Sequence, residues 1–264
     1  MPSETERSLA LVTGGSSGIG LELARQCLDN GYDVLLVADV GLGEAVEQLS
    51  AGPAVTPLVA DLTTHEGNER VVEAVAAQSA PLELLLLNAG VAVGGPFLET
   101  PLGPELALIQ LNISSVVHLA KRLLPDMVAR GQGRLLITSS IAATAPAPFH
   151  ATYNASKAFV QSLAEAIRYE LKDTGVTVTA VMPGVTDTPF FDRSEMRDTR
   201  IGDTSLKDDP DEVAREAFEA LLAGKDKVIT GGLKNRLTAA AANVLPETVT
   251  AAVQSKLTRP GSAD

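Results

Sequence analysis

Tyr153 and Lys157 stand four residues apart in the stretch Tyr153-Asn154-Ala155-Ser156-Lys157. On an α-helix that spacing puts both side chains on one face, one turn apart. A tyrosine with its ordinary pKa near ~10 is a poor acid or base at neutral pH. A lysine ammonium beside it favours the phenolate and pulls that pKa down, which makes the pair a candidate for moving a proton to and from a substrate oxygen. The Tyr-x-x-x-Lys string is common by chance, and its company gives it weight. Ser140 lies 13 residues before Tyr153, just past an apolar run, and Asn112 interrupts a long helical stretch at Leu111-Asn112-Ile113. Ser139 competes with Ser140 as the hydroxyl that would meet the substrate.

A second group of residues would hold phosphate. Thr13-Gly14-Gly15-Ser16-Ser17-Gly18-Ile19-Gly20 lies between a strand-like run, Leu9–Thr13, and a helical one, Gly18–Asp29. Glycines allow a tight turn and let the backbone approach a pyrophosphate, whose charge the helix amide groups and dipole favour. Asp39 closes the next apolar run, 19 residues after Gly20. A carboxylate there accepts hydrogen bonds from the adenine ribose hydroxyls of a dinucleotide and repels a 2′-phosphate. No nearby Lys or Arg offsets that repulsion, so the expected cofactor is NAD(H), with NADP(H) disfavoured.

These groups need a scaffold that gathers strand ends. Val34–Val37, Val55–Ala60, Leu82–Leu87, Leu135–Thr138 and Val176–Met182 read as buried strands, and Val228–Thr230 as a short seventh. The Leu82–Leu87 run is too short for a typical helix and suits a strand covered on both faces. Between the strands come helical stretches at Thr64–Gln78, Leu106–Arg130 (with a bend expected near Pro125) and Thr152–Lys172. A further helix runs from the Asp209-Pro210 cap signal to Leu222. Such alternation predicts an α/β fold: a doubly wound, mainly parallel seven-stranded sheet with helices on both faces, in one domain over 1–264. Ligands bind such sheets at the carboxyl ends of the strands, where the motifs above fall. Residues 189–206 read as a substrate loop. Residues 233–257 read as a helical extension in two pieces, split at Leu245-Pro246, that packs over the pocket or against a partner.

The formal net charge of -12 repels phosphate backbones and argues against a nucleic-acid partner. The lone cysteine, Cys27, permits no intrachain disulfide and suits a reducing compartment. The chain shows no signal-peptide pattern and no apolar run near the ~18–20 residues that span a bilayer, so a cytoplasmic protein is expected. His65, His118 and His150 lack ligand-like spacing, so no metal site is expected. His150 is read as a surface residue.

Taken together, these motifs resemble the short-chain dehydrogenase/reductase family over nearly the full chain. The glycine spacing is that family's Gly-x-x-x-Gly-x-Gly, and the implied fold is Rossmann-like. The resemblance implies hydride transfer between a nicotinamide and a small-molecule carbonyl/alcohol pair, with Tyr153 as acid/base. It implies that Ser140 orients the carbonyl, that Lys157 also holds the nicotinamide ribose, and that Asn112 holds a water linking Lys157 to solvent. Asp61 and Leu62 resemble the pair that contacts adenine. Leu87-Asn88-Ala89-Gly90 resembles the family's Asn-Asn-Ala-Gly turn, with Leu87 replacing the first Asn. Pro183-Gly184-Val185-Thr186-Asp187-Thr188 resembles its Pro-Gly-x-x-x-Thr, which places Val185 and Thr188 on the nicotinamide carboxamide. Where one branch of the family carries two arginines and uses NADP, this chain reads Val37-Ala38-Asp39-Val40. Homodimers or homotetramers are implied. The absence of clustered Arg or Lys in the presumed pocket walls suits a neutral, apolar substrate. Two alternatives remain: a nucleotide-sugar epimerase or dehydratase, whose relatives carry a larger C-terminal domain, and a nucleotide-sensing regulatory protein without turnover.

Overall fold

The computed structural model describes residues 7–50, 52–190, 194, 199–200, 207–242 and 247–262. Most of the expected substrate loop, 189–206, lies outside the described residues, as does the Leu245-Pro246 break. Seven strands form one parallel sheet: β1 (Leu9–Thr13), β2 (Asp33–Ala38), β3 (Val55–Val59), β4 (Leu82–Leu87), β5 (Gly133–Thr138), β6 (Val176–Met182) and β7 (Lys227–Ile229). Their order is β3-β2-β1-β4-β5-β6-β7. The winding reverses between β1 and β4, and such a switch point opens a crevice at the strands' carboxyl ends.

Strand side chains alternate between faces, and both faces are packed. On β1, Leu9 and Leu11 join one apolar layer while Ala10 and Val12 join the other. The first layer is closed by α3 (His65–Ala76), α5 (Ser115–Arg130) and α6 (Ala151–Glu170), through Val71, Leu119, Met127 and Val160. The second is closed by α1 (Gly18–Asp29), α2 (Leu42–Leu49) and α7 (Pro210–Leu222), through Leu23, Cys27, Leu49 and Phe218. The leucine run of β4 follows from this double cover. Leu85 and Leu87 face the first layer, Leu84 and Leu86 the second. Full burial of each such side chain contributes about 1.5–3 kcal/mol.

Two elements differ from the sequence expectation. The eight-residue α2 has no counterpart in it. The helix expected from Leu106 begins instead with α4 (Leu102–Ile109) and passes through a π-helical turn at Gln110–Ser114 before α5. The interruption therefore sits at Asn112, whereas Pro125 lies inside the continuous helix α5. After β7 come α8 (Gly232–Ala242) and α9 (Glu247–Thr258).

Candidate active site

A cavity of about 420 Å³ opens at the carboxyl ends of the strands. Its floor carries Tyr153 and Lys157 from the first two turns of α6, and Ser140 follows β5. The Ser140 hydroxyl accepts from Ala142 N at 3.1 Å and reaches the Pro183 carbonyl at 3.5 Å, so it is fixed at the junction of β5 and β6. Ser139 is spent elsewhere, donating to the Lys157 carbonyl at 3.0 Å, although it too borders the cavity. The Lys157 ammonium donates to the Thr138 carbonyl at 2.9 Å and lies 5.9 Å from the centre of the Tyr153 ring. Burial lowers the lysine pKa to about 8.

The tyrosine departs from the sequence expectation. Burial pushes its pKa up to about 12, against a smaller downward pull from the Ser140 hydroxyl. Desolvation of the phenolate outweighs the help of an ammonium that points to Thr138.

Asn112 serves this group from the π turn. Its Oδ1 accepts from Val91 N at 2.9 Å, and its Nδ2 donates to Val91 O at 2.9 Å and to Ser156 Oγ at 3.0 Å. The amide therefore clamps the chain after β4 against α6. A π turn aims one side chain where a regular helix would not, and such turns recur at functional sites. Gly90 completes the approach: a Cβ there would stand 3.2 Å from Asn112 Oδ1 and 3.3 Å from Lys157 Nζ.

The glycine turn between β1 and α1 forms the other end of the cavity. Gly14 and Gly18 have φ of +66° and +55°, and a Cβ on Gly18 would meet Thr188 Cγ2 at 2.7 Å. The turn after β6 is thus seated directly on the turn after β1. Pro183, Gly184, Val185 and Thr188 all line the cavity. Asn88 locks three strands together. Its Nδ2 donates to Thr13 O at 3.2 Å, its N–H donates to Thr13 Oγ1 at 3.0 Å, and its Oδ1 accepts from Thr138 Oγ1 at 3.1 Å. Ala89 N also donates to Thr13 Oγ1, at 3.1 Å.

His150, expected at the surface, is 4% exposed and lines the cavity as the N-cap residue of α6. Its ring stands edge-on to Tyr153, with centroids 6.5 Å apart. Burial holds its pKa down near 4, and its Nε2 has no hydrogen-bond partner among the described residues. The only sequence signal was its place three residues before Tyr153. The remaining wall comes from the C-terminal helices: Asn235 and Thr238 of α8, and Gln254, Leu257 and Thr258 of α9. Thr258 Oγ1 donates to Pro148 O at 2.7 Å, tying α9 to the segment that leads into α6.

Residues 8–198 match the model of the short chain dehydrogenase family. The chain belongs to that family. It is 34% identical over 226 residues to 1-deoxy-11-beta-hydroxypentalenate dehydrogenase of Streptomyces exfoliatus, covering 83% of this chain and 80% of that one. A short chain dehydrogenase of Pseudocercospora fijiensis is 32% identical over 180 residues, 66% of this chain but 58% of the relative. Among solved structures, a short-chain dehydrogenase of Sphingobium yanoikuyae in complex with NADPH superposes with a TM-score of 0.77. It is 30% identical and covers 84% of this chain and 87% of its own.

Four expected cofactor residues, Ser16, Asp39, Asp61 and Leu62, stand apart from the cavity walls. Asp39 is exposed, one residue past β2. Asp61 is exposed after β3, and its Oδ1 accepts from Thr63 N at 2.9 Å and from Thr63 Oγ1 at 2.7 Å. Leu62 buries its side chain, while its carbonyl accepts from Asn68 Nδ2 at 3.0 Å. Ser16 belongs to the glycine turn, and a Cβ on Gly41 would meet its Cβ at 3.4 Å. Ser17, Ile19 and Gly20 line the cavity.

Proposed function

We propose that this chain is an NAD(P)-dependent oxidoreductase interconverting a ketone or aldehyde and an alcohol, with Tyr153 as acid/base and NAD(H) preferred. The observation that carries the reading is one cavity with Tyr153, Ser140 and Lys157 at one end and the glycine turn at the other. The turn fits a dinucleotide: Gly14 and Gly18 adopt positive φ that other residues resist, and the chain packs too tightly there for side chains. Gly14 to Gly20 would hold the pyrophosphate at the start of α1, and Asp39 the adenosine ribose. Asp61 and Leu62 would meet the adenine. Val185 and Thr188 would hold the carboxamide. When bound, the nicotinamide accepts or supplies the hydride at its C4.

Tyr153 gives its proton to the carbonyl oxygen in reduction and takes it back in oxidation. Ser140 donates a hydrogen bond to the same oxygen. Lys157 holds the ribose hydroxyls and adds positive charge beneath the phenol, which opposes the burial that now raises the Tyr153 pKa. Both amide protons of Asn112 are committed to protein, so an oxygen of this residue would hold the relay water. The walls favour a neutral, apolar substrate: Ala142, Ala147, Val185, Phe190 and Leu257 face the space. Arg200 reaches the wall, but its Nε donates to Ser262 O at 3.1 Å.

A panel of apolar ketones and alcohols, run with NADH/NAD and NADPH/NADP, tests the reading. Turnover is expected, with higher kcat/KM for NAD(H). Tyr153→Phe should lower kcat by about 10²-fold or more while NADH binding changes little. Full activity in that variant refutes the catalytic assignment. Dinucleotide binding without turnover across the panel would favour a sensing role.

A further inference from the structure

His65 and Glu69 are four residues apart on α3 and so share a face. Helix α5 packs beside α3 and contributes His118. The sequence shows no ligand-like spacing among the histidines, because 53 residues separate a pair that only the fold brings together. One donor atom from each of the three residues lies within 4.8 Å of the other two. The two imidazole rings are 5.1 Å apart. Glu69 Oε1 lies 2.6 Å from His118 Nε2 and accepts from Arg122 Nη1 at 2.6 Å. None of the three lines the catalytic cavity.

We propose that His65, Glu69 and His118 form a binding site for a divalent cation of the zinc class. Two imidazoles and one carboxylate are borderline donors that suit Zn²⁺, whereas Mg²⁺ and Ca²⁺ prefer all-oxygen shells. A tetrahedral ion bound at about 2.0–2.1 Å needs donors roughly 3.3–3.5 Å apart. The cluster reaches that spacing if the Glu69–His118 pair opens slightly and His65 swings in. His65 is exposed, so its ring is free to do so, and water completes the fourth position. His118 must present its Nε2 lone pair, with its proton on Nδ1, and any proton shared with Glu69 passes to solvent.

The Arg122 charge opposes a cation. Its side chain is half exposed, so solvent screens that repulsion. By holding Oε1 it also orients the carboxylate, which keeps lone pairs for the ion. Bound metal would clip α3 to α5, whose chain runs back through the π turn to Asn112.

The test is calorimetric titration of untagged, chelator-washed protein with zinc chloride, beside His65→Ala and His118→Ala. One-to-one saturable binding is expected, weakened by about tenfold or more in each variant. Zinc should raise the melting temperature of the native chain and raise that of His65→Ala less. His65→Ala keeps the Glu69–His118–Arg122 cluster, so its melt without zinc reports whether the fold is intact. Magnesium at millimolar concentration should not shift the zinc isotherm. No saturable zinc uptake, undiminished binding in both variants, or displacement by magnesium would each overturn the proposal.

Discussion

His150 occupies the N-cap position of α6 beside Tyr153, buried and held neutral. Its folded pKa near 4 lies below the ordinary 6.5. Between those values the unfolded chain binds a proton that the folded chain refuses, so stability rises with pH across that window and is lost as pH falls through it. Lowering the pH from 7 to 5 should therefore remove about 2 kcal/mol through this one group. The measurement is urea unfolding of the native chain and of His150→Gln at both pH values. The native chain should lose more stability than the variant, and equal losses would show that His150 is not the titrating group. At this scale the sequence was uneven. Tyr153, Lys157 and Ser140 were legible because helix pitch and a short loop fix their distances. The Tyr153 pKa was not, since burial that only the closed cavity reveals sets its direction. The burial of His150 is hidden from the sequence for the same reason, since the folded cavity encloses it.

The glycine turn shows how an element's needs can override local propensity. Replacing glycine by alanine inside a helix ordinarily stabilises it by about 0.5–1 kcal/mol. At Gly20 a Cβ would stand 2.1 Å from the Gly14 carbonyl and 2.6 Å from Asn88 Nδ2. Backbone on one side and a strand-locking amide on the other cannot give way, and such overpacking costs about 1–3 kcal/mol. The clash wins. Gly20→Ala should melt at lower temperature than the native chain and bind NADH about tenfold more weakly or worse. An unchanged melt together with unchanged NADH affinity would show that the turn tolerates the methyl. The strands were legible as elements because a doubly covered parallel sheet writes continuous apolar runs. Their ends were less so: β5 starts two residues earlier than its apolar stretch, at Gly133. The eight-residue α2 was too short to display a helical period. The π turn at Asn112 was hidden because one extra residue per turn leaves the apolar rhythm on either side almost unaltered.

Across the whole molecule the acidic charge of -12 keeps copies apart at long range, yet the surface has apolar ground for contact. Leu98 is 95% exposed, and Phe97, Leu102 and Leu106 lie open beside it in sequence. The C-terminal helices add Leu237 and Val253, 61% and 53% exposed, while Thr258 of α9 lines the chain's own cavity. Open apolar side chains of this kind can build an interaction surface, and we expect a homodimer or homotetramer. Light scattering at micromolar concentration checks it: a mass near 27.4 kDa, that of one chain, refutes the assembly. Open apolar side chains stand both around α4 and on the C-terminal helices to which the sequence points, at Leu237 and Val253. The order of the sheet also governs how the molecule must assemble in time. β1 pairs with β4, and Thr13 reaches the Leu86 carbonyl across a sequence separation of 73. The strand that carries the glycine turn therefore gains its second neighbour only after a long loop closes, which makes folding slow. The crevice between β1 and β4 exists only once that closure is complete, so a dinucleotide seated there would rivet the seam where the refolding chain is slowest to join.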